Sequence, residues 1–181
     1  MSRIQPLEPP YAPDVQQSFD LVMQGQEPLV LFRTLAASPR AWEKFRAGSL
    51  LDRGPLTLRD REIVIDRTTA LAACEYEWGV HVAIFAERAR LTDEQIRATC
   101  GAGAEASCWS DAERALISAV DALHGKATLD QAEFDRLREH YDDAQIFEIL
   151  LLCGFYRTVS YVANALDLPL EPNGARFPAD R

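Results

Sequence analysis

The sequence predicts an all-α fold. Helix-start signals recur along it: Thr57-x-x-Asp60, Thr92-x-x-Gln95, Ser110-x-x-Glu113, Asp130-x-x-Glu133 and Asp142-x-x-Gln145. Each is followed by apolar residues at the 3.6-residue spacing that lines one helix face. No segment alternates apolar and polar residues as a half-buried strand would.

Taken in order, residues 1–27 carry Pro6, Pro9, Pro10 and Pro13 with little periodicity. They read as an arm holding one short helix, Val15 to Met23. Such an arm packs on a neighbouring subunit or frays. Pro28 to Leu35 reads as a short helix that stops before Ser38-Pro39. Pro39 suits the first position of the next helix, Arg40 to about Leu51, because its fixed φ is already helical. Asp52-Arg53-Gly54-Pro55 breaks the chain. The helix opened by Thr57 runs toward Ala73 with Ile63, Val64 and Leu71 inward, and Glu75 to Ala89 follows with little break. The Thr92 helix ends near Gly101, the Ser110 helix closes at Gly125, and the Asp130 helix ends near Tyr141. The last runs from Asp142 to Leu168-Pro169. It is apolar nearly all round at Ile149-Leu150-Leu151-Leu152-Cys153, which predicts burial on every side, within the bundle or against another subunit. The helical domain is expected over 28–171, with a C-terminal tail at 172–181.

Composition bounds the function. The chain has 181 residues, 48% hydrophobic and 26% charged, enough for one domain with a real core and no staples. A disordered tail, a fibrous repeat and a small disulfide-stapled fold are excluded. With 19 basic against 28 acidic residues the net charge is −9, which repels phosphate backbones and argues against nucleic-acid binding. No unbroken run of 18 apolar residues occurs, so no membrane span or membrane partner is expected. Met1 to Pro6 lacks the apolar stretch of a signal peptide. Cys74, Cys100, Cys108 and Cys153 form no C-x-x-C spacing. A reduced, cytoplasmic protein is the expectation.

One stretch carries chemistry. Cys74, Glu77 and His81 stand three and four residues apart, so on one helix their side chains stack on a single face. A thiol in the first helical turn would have its pKa lowered by unpaired backbone N–H groups. His81 can exchange a proton near neutral pH. Glu77, one turn earlier, can orient it or share the proton. Glu62 lies on the preceding helix and reaches this face only if the chain turns back. The structural alternative is equally simple: a buried Cys acts as a small apolar group, and Glu77 with His81 forms an i,i+4 surface pair contributing a few tenths of a kcal/mol. Carboxylate, imidazole and thiolate could also hold zinc. However, His124, placed to favour the helix C-terminal dipole when protonated, and His140, expected in solvent, supply no second ligand face. No metal is expected.

At these residues the chain resembles the carboxymuconolactone decarboxylase family, which includes the AhpD-like alkylhydroperoxidases. The resemblance runs from about Pro55 to Glu171. It is carried by Leu58-x-Arg-x-Arg-Glu62, Cys74-Glu-Tyr-Glu-Trp-x-x-His81, Ala112-Glu-Arg-Ala-Leu with Val120-Asp-Ala-Leu-His124, and Gly154-Phe-Tyr156 through Asn164 to Glu171. It implies an AhpD-like helical bundle in which two long antiparallel helices carry the site, assembled as a homo-oligomer of two, three or six copies. In the peroxidase branch Glu62, Cys74 and His81 match the motif, but Glu77 replaces the second cysteine. Cys74 alone could reach a sulfenic acid with no neighbouring thiol to resolve it. In the decarboxylase branch no dithiol or cofactor is needed. There, Glu62, Glu77 and His81 would be catalytic with Cys74 in the pocket, while Tyr76, Trp78 and Tyr156 would hold a small flat substrate. Three functions therefore stand: a cofactor-free lyase or decarboxylase, a thiol peroxidase of the peroxiredoxin kind using Cys74, and a homologue that keeps the fold without activity.

Overall fold

The five helix starts read from the sequence are realised as side-chain caps, and Ser38 adds a sixth. In the computed structural model, which describes residues 2–179, the helices are α1 (Pro13–Met23), α2 (Val30–Leu35), α3 (Pro39–Gly48), α4 (Leu58–Leu71), α5 (Glu75–Phe85), α6 (Asp93–Cys100), α7 (Asp111–Lys126), α8 (Gln131–Arg138) and α9 (Asp143–Ala165). A 3-10 turn spans Gly103–Glu105, and no strand occurs among the described residues. Thr92, Ser110, Asp130 and Asp142 form reciprocal capping boxes with Gln95, Glu113, Glu133 and Gln145. Ser38 and Thr57 cap α3 and α4 by accepting from Ala41 N and Asp60 N. Each cap satisfies amide donors that helix ends otherwise leave open and contributes about 1 kcal/mol.

The ends differ modestly from expectation, each for a local reason. Regular α5 stops at Phe85, and turns carry the chain on to a Schellman-type closure, with Arg90 at φ 55 and Leu91 N bonded to Ala86 O at 2.9 Å. α7 passes through Gly125, since Ala127 takes the left-handed capping position.

α4 is the hub, packing on α5, α6, α7 and α9. Residues 62–70 are buried throughout. Arg67 among them is paired inside the bundle: its Nε donates to Asp121 at 2.6 Å and its Nη1 to Thr99 O at 2.9 Å. At the start of the helix, Arg59 Nε donates to Glu113 at 2.6 Å. A short link then reverses the chain into α5. Ala73 takes φ 51 and Cys74 N bonds to Thr69 O at 2.9 Å. This reversal brings the third turn of α5 back over the first turns of α4.

The N-terminal arm packs on its own chain. Phe19 is fully buried against Trp42, and Trp42 Nε1 donates to Ser18 Oγ at 2.6 Å. Tyr11, Phe32 and Phe45 complete this aromatic cluster.

Within one chain, α9 is buried on one side only. Ile149, Leu152, Tyr156 and Val159 face α4 inside the bundle, whereas Phe147, Leu151 and Tyr161 are 68%, 59% and 59% exposed. Its 23 residues are by length and composition apolar enough to cross a membrane, although no unbroken apolar run exists. Packing of its inner face on the hub helix accounts for that composition.

The C-terminal segment straps across α5. Ala175 N donates to Gly79 O and Phe177 N to Glu75 Oε1, both at 2.9 Å, and the Phe177 ring lies 5.1 Å from Trp78.

Candidate functional site

The reversal between α4 and α5 makes Glu62 and His81 direct partners. His81 Nδ1 donates to Glu62 Oε2 at 2.7 Å, across 19 residues of sequence. Arg61 holds the other oxygen of Glu62, with Nη2 at 2.9 Å and Nε at 3.0 Å from Oε1. On the far side of the imidazole, Nε2 stands 3.5 Å from Glu77 Oε1, an ion-pair distance longer than a good hydrogen bond. The second oxygen of Glu77 is buried without a hydrogen-bond partner. Glu62, Glu77 and His81 are 1%, 6% and 3% exposed, so the cluster sits almost wholly out of water.

Charge and burial compete over this imidazole. Burial disfavours its cation, but Glu62 and Glu77 together outweigh that and push His81 up to about 10. At neutral pH it is an imidazolium clamped between two carboxylates. Asp66, one turn beyond Glu62 on the same face of α4, is also buried, and its Oδ1 has no partner. Burial and the neighbouring Glu62 hold its carboxyl well above the usual range. Its i,i+4 relation to Glu62 was visible in the sequence and is the signal that sequence reasoning passed over.

A cavity of about 380 Å³ opens beside this cluster, with Glu77, His81 and Tyr156 at its inner end. Its walls are aromatic: Phe32 from α2, Trp42 and Phe45 from α3, Phe85 at the end of α5, and Phe155 from α9. α1 closes the outer side with Val22 and Met23. The His81 ring packs edge-on against Tyr156 at 5.0 Å and tilted against Phe85 at 5.2 Å. Arg46 reaches the rim, where its Nη1 donates to Ser18 Oγ at 2.8 Å and its guanidinium lies over Trp42.

The other expected residues lie elsewhere. Cys74 is the residue before α5 rather than in its first turn, is fully buried, and does not line the cavity. Burial pushes its thiol up, with backbone hydrogen bonds at the helix start opposing weakly, so the expected lowering is reversed. Tyr76 turns away from the cavity: its hydroxyl donates to Glu171 at 2.5 Å and accepts from Leu31 N at 2.9 Å, tying the C-terminal segment to α2. Trp78 also lies outside it, donating to Thr99 Oγ1 at 3.0 Å beneath Phe177. Both were expected as substrate contacts and instead hold the fold. His124 is held neutral by burial and by Arg157, which donates to its Nδ1, contrary to the protonated helix-end role. His140 is exposed. Among the described residues, no group of three His, Cys, Asp or Glu side chains is arranged to hold a metal ion, and no disulfide forms.

Comparison with known proteins follows the same lines. Residues 36–122 match the model of the Carboxymuconolactone decarboxylase family. No curated protein matches the chain. Among solved structures, a peroxidase-related protein from Silicibacter sp. TM1040 is 18% identical over 93% of each chain, with a TM-score of 0.79. The alkylhydroperoxidase AhpD core of a peroxidase-related protein from Ralstonia eutropha JMP134 is 21% identical over 93% of each chain, with the same TM-score of 0.79. A cysteine-to-alanine variant of the debrominase Bmp8, in complex with 2,3,4-tribromopyrrole, is 20% identical over 96% of this chain and 94% of that one, at a TM-score of 0.75. The all-α bundle described above is thus the AhpD-like fold.

Proposed function

Because the chain belongs, through its residues 36–122, to the carboxymuconolactone decarboxylase family, we propose that it is a cofactor-free acid–base enzyme of the lyase or decarboxylase kind acting on a small, largely apolar molecule. The observation that carries this is the Glu62–His81–Glu77 array at the inner end of an aromatic cavity, with Cys74 buried outside it. Loss of CO₂ leaves an electron pair that must be stabilised and then protonated. His81, as an imidazolium, supplies positive charge beside the developing carbanion and the proton for the new C–H bond. Glu62, itself fixed by Arg61, orients the ring and keeps the cation in place. Glu77, beside Nε2, is the second carboxylate that keeps the ring charged between turnovers. The aromatic walls exclude water and suit a flat ring.

The thiol-peroxidase alternative draws support from the names of two structural neighbours. It is opposed by a thiol that is raised, fully buried and off the cavity. A fold without activity is opposed by carboxylates and an imidazolium that are desolvated together at a cavity wall, where apolar side chains would fill the same space without that desolvation. The test is His81→Gln with folding verified by circular dichroism. Turnover of a lactone or keto-acid substrate is expected to fall by at least about a hundredfold, the scale of a lost general acid. Unchanged turnover refutes the role of His81. Peroxide turnover abolished by Cys74→Ala establishes the peroxidase alternative instead.

A further inference from the structure

We propose that Tyr156 is a catalytic residue whose hydroxyl donates a hydrogen bond to the carbonyl oxygen of a bound β-keto acid, where negative charge gathers as CO₂ leaves. This adds a residue and a substrate class to the decarboxylase reading and so rests on it. Buried tyrosine hydroxyls ordinarily find a partner. Tyr76 bonds to Glu171 and Tyr141 to Asp60. Tyr156 is 1% exposed, yet its hydroxyl bonds to nothing among the described residues. The orphan polar atoms closed off inside the bundle are Arg33 Nε, Asp66 Oδ1, Thr68 Oγ1 and Glu77 Oε2, and the Tyr156 hydroxyl is not one of them. Since Tyr156 lines the cavity, its hydroxyl opens into it. A phenylalanine would fill the same space without burying an unpaired polar group, so the hydroxyl calls for an acceptor that arrives with a ligand.

This donor stands beside the proton source. The Tyr156 and His81 rings are 5.0 Å apart and perpendicular. With Nδ1 given to Glu62, the second N–H of the imidazolium is at Nε2, whose ion-pair partner Glu77 Oε1 is 3.5 Å away. Burial, with Glu77 and Glu62 nearby, pushes the Tyr156 hydroxyl well above its ordinary value, so at neutral pH it donates with its proton in place. An acid's charge is met by the two cations that line the cavity, His81 and, at the rim, Arg46, which engages Ser18 and Trp42 and no carboxylate among the described residues. In the reaction the bond to the carboxylate carbon breaks and its electron pair forms a C=C bond. The carbonyl π pair moves onto oxygen, where the Tyr156 O–H and the His81 cation stabilise it. As the C=O bond re-forms, the carbon takes the proton from His81 Nε2. Solvent then recharges the ring, so each CO₂ released consumes one proton and Tyr156 keeps its own.

Isotope-edited infrared spectroscopy of acetophenone labelled with carbon-13 at the carbonyl, the ketone that benzoylacetate leaves after losing CO₂, tests this on the full chain at pH 7. Bound to the unaltered chain, its carbonyl stretch is expected below the value in hexane, as for a carbonyl that accepts a hydrogen bond. In Tyr156→Phe the stretch is expected to move back toward that value. The urea midpoint of this variant should stay unchanged, because the lost hydroxyl leaves no protein group unpaired. Benzoylacetate turnover is expected to fall at least about tenfold in kcat with KM nearly unchanged, as for a donor that acts mainly in the transition state. The same stretch in both proteins, or no acetophenone bound up to millimolar concentration, overturns the proposal. Should Tyr156→Phe not fold, its hydroxyl serves the fold and the proposal fails as well. Failure of the decarboxylase reading shows separately, as benzoylacetate consumed no faster than in buffer while the Tyr156-dependent stretch persists; that result refutes the reaction and upholds the hydrogen bond.

Discussion

A histidine pushed up to about 10 makes the folded state bind a proton that the unfolded chain has released. The reference value is 6.5, so the stabilisation from this group is complete below pH 6.5 and is lost as pH rises toward 10. Within that window each pH unit removes about 1.4 kcal/mol from this source. Urea unfolding at pH 7, 8 and 9 should therefore show a midpoint that falls with pH. In Glu62→Gln, which lacks the carboxylate bonded to Nδ1, the fall should flatten. A second residue-scale prediction concerns Cys74. Its raised, buried thiol should stay unalkylated by iodoacetamide at pH 8 until the chain unfolds. Cys74→Ala should cost about 1 kcal/mol of stability and leave lyase turnover unchanged. At this scale the sequence made Glu62, Glu77 and His81 legible, since their spacing fixes a shared face once the chain reverses. It misplaced Tyr76 and Trp78 because one-dimensional neighbours of a site residue point to other faces of the helix, here toward the C-terminal segment and Thr99.

Among the elements, α5 is held between the hub helix and the C-terminal strap. Gly79 is required there for contact: a Cβ at that position would lie 2.3 Å from Ala175 O. Gly79→Ala gains about 1 kcal/mol of helix propensity but forces the strap off the helix. Trypsin cleavage after Arg176, followed by mass spectrometry, should then accelerate several-fold, and unchanged cleavage would show that the strap is not held this way. Helix order was readable because caps and 3.6-residue periodicity are local signals. The strap was not, because extended segments carry no periodicity and Ala175 meets Gly79 through backbone atoms alone. For the outer face of α9 the apolar composition reports the need for a partner without saying whether the bundle or another subunit supplies it.

For the whole molecule, the cavity is assembled from both ends of the chain around the segment that matches the family. Residues 36–122 match the family, yet Val22, Met23, Phe155 and Tyr156 line the cavity from outside that span. Ligand choice is accordingly set by α1 and α9 as much as by the acid–base cluster. The exposed apolar strip of Phe147, Leu151 and Tyr161 bears on the expected homo-oligomer. Light scattering coupled to gel filtration should give a multiple of 20.3 kDa, and Leu151→Glu should shift it toward the single chain. A lone chain at micromolar concentration would contradict that assembly.

The charge state of one imidazole ties these scales together, since it requires the reversal of α4 into α5, the burial of the bundle and the convergence of two carboxylates. Nitrogen-15 NMR of the His81 side chain across pH 5 to 10.5 reads it directly. An imidazolium persisting through neutral pH and titrating near 10 is expected; a ring that is already neutral at pH 7 would contradict the proposed proton donor.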